Sequence, residues 1–132
     1  MSPTARSTEY LRKRGYTVCR VEQTLNMPGR PFGFKKDAFG FGDLLACSSR
    51  PGIAGVALVQ VTSTGNVGKR CEKIRSDPKV FPPATEWLRS GGRIEVHGWA
   101  KRGPRGKRKR WSIAIKAGQL NGDSIFFSEL EA

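Results

Sequence analysis

The run Gly55-Val-Ala-Leu-Val-Gln-Val-Thr62 is apolar at alternate and at intervening positions alike. A strand of that composition needs cover on both faces, so it belongs in the middle of a sheet. The segment before it, Phe41 to Cys47, reads as a second strand, and Ser48-Ser-Arg-Pro-Gly52 between them has the residues of a chain reversal. The two strands therefore form an antiparallel hairpin, and the rest of the chain must be arranged to cover it.

Ser7 or Thr4 can cap a first helix of about three turns, Tyr10 and Leu11 give it an apolar stripe, and Gly15 stops it. Tyr16 to Glu22 is rich in β-branched and aromatic residues and reads as the first strand. Residues 24 to 40 read as a loop, held open by Pro28, Gly29, Pro31, Gly33 and Gly40. Val67, Cys71 and Ile74 recur at helical spacing until Pro78 ends the helix. Phe81 to Ser90 forms another helix, opened by Pro82 and Pro83 and closed by Gly91-Gly92. Arg93 to Trp99 alternates with period two and reads as a strand, a last strand runs near Trp111 to Lys116, and Phe126 to Leu130 packs back as a short apolar element. This order gives an α/β fold rather than a bundle or a barrel. With 132 residues, 37% of them hydrophobic, the chain suits a single domain over 1–132.

Charge narrows the partner. The chain carries 24 Lys and Arg against 11 Asp and Glu, a formal charge of +13, which suits a polyanion. No apolar run approaches the roughly 18 residues of a spanning helix, and Met1-Ser-Pro-Thr-Ala-Arg6 lacks the apolar stretch of a secretory signal. The chain reads as a soluble, cytoplasmic protein with DNA, not membrane, as partner. Cys19, Cys47 and Cys71 are odd in number and widely spaced, which indicates buried free thiols and not a disulfide framework or a zinc cluster.

Acids are scarce in so basic a chain, yet Asp37 and Asp43 fall in one short stretch beside Lys35 and Lys36. Asp37 in its glycine-rich loop suits a turn. Asp43, flanked by Phe41 and Leu44-Leu45, is harder to solvate and suits a function. Gln60 and Thr62 end the neighbouring strand, so the hairpin brings several oxygen ligands to one point, where a divalent metal would sit. His97, the single histidine, lies mid-strand without a matching nucleophile and suits a structural role.

An αβββαβ order with Asp at the start of the second strand and a polar dyad at the end of the third resembles the PD-(D/E)XK nuclease superfamily. The archaeal Holliday junction resolvases and small phage-encoded relatives are similar. The resemblance covers about residues 4–100 and implies a restriction-endonuclease-like core, a mixed central sheet flanked by helices, with a basic C-terminal β-hairpin and extension over 101–132. It implies a metal-dependent DNA endonuclease using Mg²⁺ or Mn²⁺, structure-specific or junction-resolving, with a homodimer needed for symmetric two-strand cutting. Asp43 takes the role of the first acid and Gln60 that of the second, with Asp37, Glu22 or Glu9 completing the shell. The usual Glu-x-Lys is here Gln60-Val-Thr62. Thr62 stands at the lysine position, and the resemblance implies a lysine from another element, Lys36 or Lys69. The alternative is a catalytically weak or inactive nucleic-acid-binding protein on the same fold, part of a phage or mobile-element machine.

Lys101 to Arg110 holds seven basic residues in ten: Lys101, Arg102, Arg105, Lys107, Arg108, Lys109 and Arg110. Their mutual repulsion is relieved by a phosphate backbone, which identifies a DNA-binding wing. Arg30, Lys35, Lys36, Lys69 and Arg70 extend the expected surface. Trp99 and Trp111, on either side of the wing, read as a cross-strand pair at its base.

Overall fold

The computed structural model describes residues 1–26, 28–29 and 33–132. Helix α1 spans Pro3–Arg14. Its cap is Ser2, whose Oγ accepts from Ala5 N at 3.1 Å, so Thr4 and Ser7 lie inside the helix instead of capping it. Pro3 fits the first turn because its missing N–H would have no helical partner. Gly15, at φ 106°, closes the helix in the left-handed region that favours glycine.

Strand β1 is Thr17–Arg20, followed by two short strands, β2 Gln23–Leu25 and β3 Phe34–Lys36, which pair with each other. The expected loop over 24–40 thus contains a small hairpin. β4 spans Leu44–Ser48, β5 Gly55–Ser63, β6 Arg93–Arg102, β7 Arg110–Asn121 and β8 Ser124–Leu130. Between β5 and β6 lie a 3₁₀ turn at Thr64–Asn66, α2 at Val67–Ser76 and α3 at Phe81–Arg89.

Six strands form one mixed sheet in the order β1-β4-β5-β6-β7-β8. β1, β4 and β5 are an antiparallel meander, β5 and β6 are parallel, and β6 to β8 are antiparallel again. The parallel step needs a crossover, which α2 and α3 supply. β5 is central, as its two apolar faces require. On one face Leu58 packs with Val67, Cys71 and Ile74 of α2, Ala84 of α3, and Ile94, Val96 and Ile125. On the other, Ala57 and Val59 pack with Leu11 of α1, Val18, Leu44 and Ala46. The result is a sheet covered by one helix on one side and two on the other.

Cys71 is buried in the α2 face, whereas Cys19 and Cys47 are exposed, correcting the expectation of three buried thiols. Cys19 and Cys47 alternate along β1 and β4 with Val18 and Ala46, which face α1, and so lie on the opposite face of that flank. Among the described residues, no helix is long and apolar enough to cross a membrane.

Candidate metal centre

Asp43 immediately precedes β4, and its backbone is locked on both sides: its N–H donates to Val59 O at 2.9 Å, and its carbonyl accepts from Val21 N at 3.0 Å. Between Phe41 and Leu44, both almost fully buried, the residue is only 5% exposed. Its Oδ2 accepts from Val61 N at 2.7 Å and from Gln60 Nε2 at 3.0 Å. Burial nevertheless prevails, pushing the carboxyl up to about 7 despite the Val61 hydrogen bond, and the neighbouring carboxylates of Asp37 and Glu22 push the same way.

The chain between the two aspartates doubles back on itself. Ala38 and Gly42 form an isolated antiparallel bridge, and Phe41 N and Gly42 N both donate to Ala38 O. The reversal places Phe39 at φ 54° and Gly40 at φ 83°. Gly40 adopts that region freely, while Phe39, a non-glycine residue there, is held by the bridge around it. Asp37 and Asp43 therefore meet although six residues apart, and Glu22, two residues beyond β1, completes the group. Each of the three offers one carboxylate oxygen, and those atoms lie within 4.8 Å of one another. Asp37 and Glu22 are half-buried and Asp43 is buried.

Three carboxylates so close, one of them desolvated, repel each other unless protons or a cation intervene. The donors are all oxygen, the set that suits a hard ion such as Mg²⁺ or Mn²⁺. Gln60 adds to this fit. Its Oε1 is buried with no hydrogen-bond partner while its Nε2 serves Asp43. Turning the amide over would set Oε1 against Asp43 Oδ2, which is repulsive alone and favourable with a cation between them.

Among the expected ligands, then, Asp43, Gln60, Asp37 and Glu22 come together. Glu9 does not: it is exposed on α1 and pairs with Lys13 at 3.0 Å, one helical turn away. Thr62 is buried on β5, two residues beyond Gln60 and on the same face. Among the described residues no ion pair joins Lys36 or Lys69 to the three acids. Lys35 does so instead, its Nζ lying 3.9 Å from Glu22 Oε1, with Arg20 Nε at 3.5 Å from the same oxygen. The signal for Lys35 was its position in β3, which became readable only once β3 was seen to pair with β2 just after Glu22.

The basic segment lies at the same end of the sheet. Ser63, at the end of β5, pairs with Trp99, three residues before β6 ends in the hairpin. Lys101, Arg102, Arg105, Lys107, Arg108, Lys109 and Arg110 are all exposed. Arg102 and Arg110 stand directly opposite each other in the ladder, an arrangement of like charges that is unfavourable without an anion. Lys69 and Arg70 occupy the first turn of α2, where they add to the positive end of the helix dipole. Arg30 lies outside the described residues.

His97 is fully buried on β6, facing α1. Its Nε2 is 2.8 Å from Glu95 Oε1 and its Nδ1 3.0 Å from Ser7 Oγ. With the carboxylate ionised, Nε2 carries the proton and Nδ1 accepts from the Ser7 hydroxyl, whose oxygen accepts in turn from Trp99 Nε1 at 2.8 Å. The serine, histidine and acid have the order of a hydrolase triad. Ser7 and His97 are both 0% exposed, however, so no substrate reaches the hydroxyl, and the network fastens α1 to β6. Its signal was the alternation Glu95, His97, Trp99 on one strand face.

No protein-family model, no curated protein and no solved structure matches this chain.

Proposed function

We propose that the protein is a metal-dependent DNA endonuclease built on a PD-(D/E)XK-like core. The observation that carries this reading is the meeting of Glu22, Asp37 and Asp43 within 4.8 Å in a chain of net charge +13. The antiparallel β1-β4-β5 meander followed by a parallel β6, with α1 on one face and α2 on the other, supports the resolvase-like core that the order of elements suggested.

In this reading Asp43 is the central ligand for Mg²⁺ or Mn²⁺, flanked by Asp37 and Glu22, and Gln60 orients its carboxylate. A bound divalent ion supplies polarisation of a phosphoryl oxygen and acidification of a water. Lys35 presents an ammonium at the rim, beside Glu22, and would serve as the lysine that the resembled motif has where this chain has Thr62. The exposed hairpin cations hold phosphates and bring the backbone to the acids at the same end of the sheet.

The test is cleavage of branched, duplex and single-stranded DNA by purified protein with Mg²⁺ or Mn²⁺, against EDTA and against Asp43→Ala. Metal-dependent cutting that falls to background in Asp43→Ala, with DNA affinity nearly intact, is the expected result. Cutting unchanged by that substitution would remove Asp43 from the site. Thr62 at the lysine position favours a second reading, a non-catalytic DNA-binding protein of the same fold, to which tight binding without cutting on any substrate would point. Symmetric cutting of two strands would further require two copies of the chain, read from the mass of the DNA complex.

A further inference from the structure

The geometry points to a stacking site for an unpaired DNA base at the foot of the β6–β7 hairpin, built on Trp111 and Arg6. This inference rests on the DNA-binding reading of the hairpin and goes beyond it, because phosphate contacts alone do not distinguish a paired strand from an unpaired one.

The ladder register separates the two tryptophans. Trp99 stands opposite Ile113, and Trp111 opposite Lys101, so they are diagonal neighbours across the two strands and not directly opposed. Their surroundings differ accordingly. Trp99 is half-buried and tethered through Nε1 to Ser7. Trp111 remains 40% exposed, which leaves an edge of its ring open to a ligand. What surrounds it is cationic: the Arg6 guanidinium carbon lies 4.0 Å from the ring centroid and Lys101 Nζ 5.4 Å from it.

Arg6 is the second observation. Its Nε is buried without a hydrogen-bond partner, and no carboxylate pairs with it among the described residues. A guanidinium laid on an indole with donors unspent lacks an anionic acceptor. A nucleotide meets both needs, since its base can stack on the part of the indole that Arg6 leaves exposed and its phosphate can accept from the outer guanidinium nitrogens, the buried Nε being out of its reach. Six further cations, from Arg102 to Arg110, lie in the adjoining hairpin to hold the flanking phosphates. In a regular duplex the bases are stacked on each other and unavailable to the ring, so the site selects unpaired strands, such as those at a branch or an end.

The experiment measures binding of fluorescently labelled oligothymidylate and of a short duplex by anisotropy, in EDTA and over a series of salt concentrations. Wild type, Trp111→Ala, Trp111→Phe and Arg6→Ala are compared, with thermal melts to verify that each is folded. Trp111→Ala should weaken single-strand binding by about ten-fold or more, as expected for loss of one stacked base, and duplex binding by less than about two-fold. Trp111→Phe should keep most of the single-strand affinity, and Arg6→Ala should lose part of it together with part of the salt dependence. Emission from Trp111, taken as wild type minus Trp111→Phe, should be quenched by the single strand and not by the duplex. Equal losses on both ligands, or no loss on either, would overturn the stacking site while leaving the phosphate-binding wing in place. Failure of the wild type to bind either ligand would bring down the DNA-binding reading and this inference together.

Discussion

A carboxyl held between Phe41 and Leu44 at 5% exposure titrates against its surroundings, and the direction can be checked. Asp43 is raised from 3.8 to about 7. The folded state therefore keeps a proton that the unfolded chain has lost, so the stability tied to Asp43 is complete below about pH 4 and is lost as the pH rises through about 7. A cation among Glu22, Asp37 and Asp43 reverses the preference by favouring the ionised form. Thermal melts near pH 8 should therefore rise on adding Mn²⁺, and melts near pH 5 should respond little, because protons then occupy the site. Asp43→Asn should flatten the pH dependence between these values and abolish the response to Mn²⁺; a variant that still gains stability from the metal would place the ion elsewhere. Asp43 was legible in the sequence because an acid between large apolar residues is hard to solvate. Its partner Asp37 was less so, since their approach depends on the left-handed turn at Phe39 and Gly40, and nothing in the residues of a glycine-rich loop fixes where it will return.

The same limit governs the elements. Long, periodic segments announced themselves: the two-faced apolar run of β5, the i, i+4, i+7 stripe Val67, Cys71, Ile74 of α2, and the alternation along β6. The β2–β3 hairpin did not, because each strand has three residues, too few for a period, and the segment between them is dense in glycine and proline. Without it Lys35 reads only as part of the basic surface, and not as the cation that the hairpin brings to Glu22. The β6–β7 hairpin was legible by charge, and its function can be tested as an element. Replacing Lys107, Arg108 and Lys109 together with glutamine should lower the slope of log affinity against log salt by up to about 3, near one for each phosphate no longer neutralised. The variant should melt at or above the wild-type temperature, since the loop is wholly exposed and its cations repel one another. An unchanged slope would mean that the phosphates are held elsewhere, with Lys69 and Arg70 at the start of α2 the next residues to replace.

For the whole molecule, the charge imbalance dominates. A net charge of +13 on 132 residues is self-repulsive, and that repulsion grows on compaction. Local ion pairs relieve little of it: apart from Glu22 and the His97–Glu95 pair, the carboxylates that meet a cation are well exposed, and pairs of that kind are worth at most about 1 kcal/mol each. Against this background the three gathered acids form a small negative focus at the end of the sheet where the basic hairpin projects. In the proposed function, a polyanion held by the hairpin would meet a divalent cation held by the acids at that end. Salt should consequently act with opposite signs on the free and the DNA-bound protein. In the free protein, raising NaCl toward physiological strength shortens the screening length to about 8 Å, weakens the repulsion, and should raise the melting temperature by about 2–5 °C. In the presence of saturating DNA the melting temperature at low salt should be higher still, because a ligand that binds only the folded state stabilises it, and should fall as NaCl is added and counterion release loses its force. The two curves should converge at high salt, where DNA no longer binds. A free protein whose melting temperature falls with NaCl would show that the cations are already paired in the fold, leaving the hairpin's charge without need of a phosphate backbone.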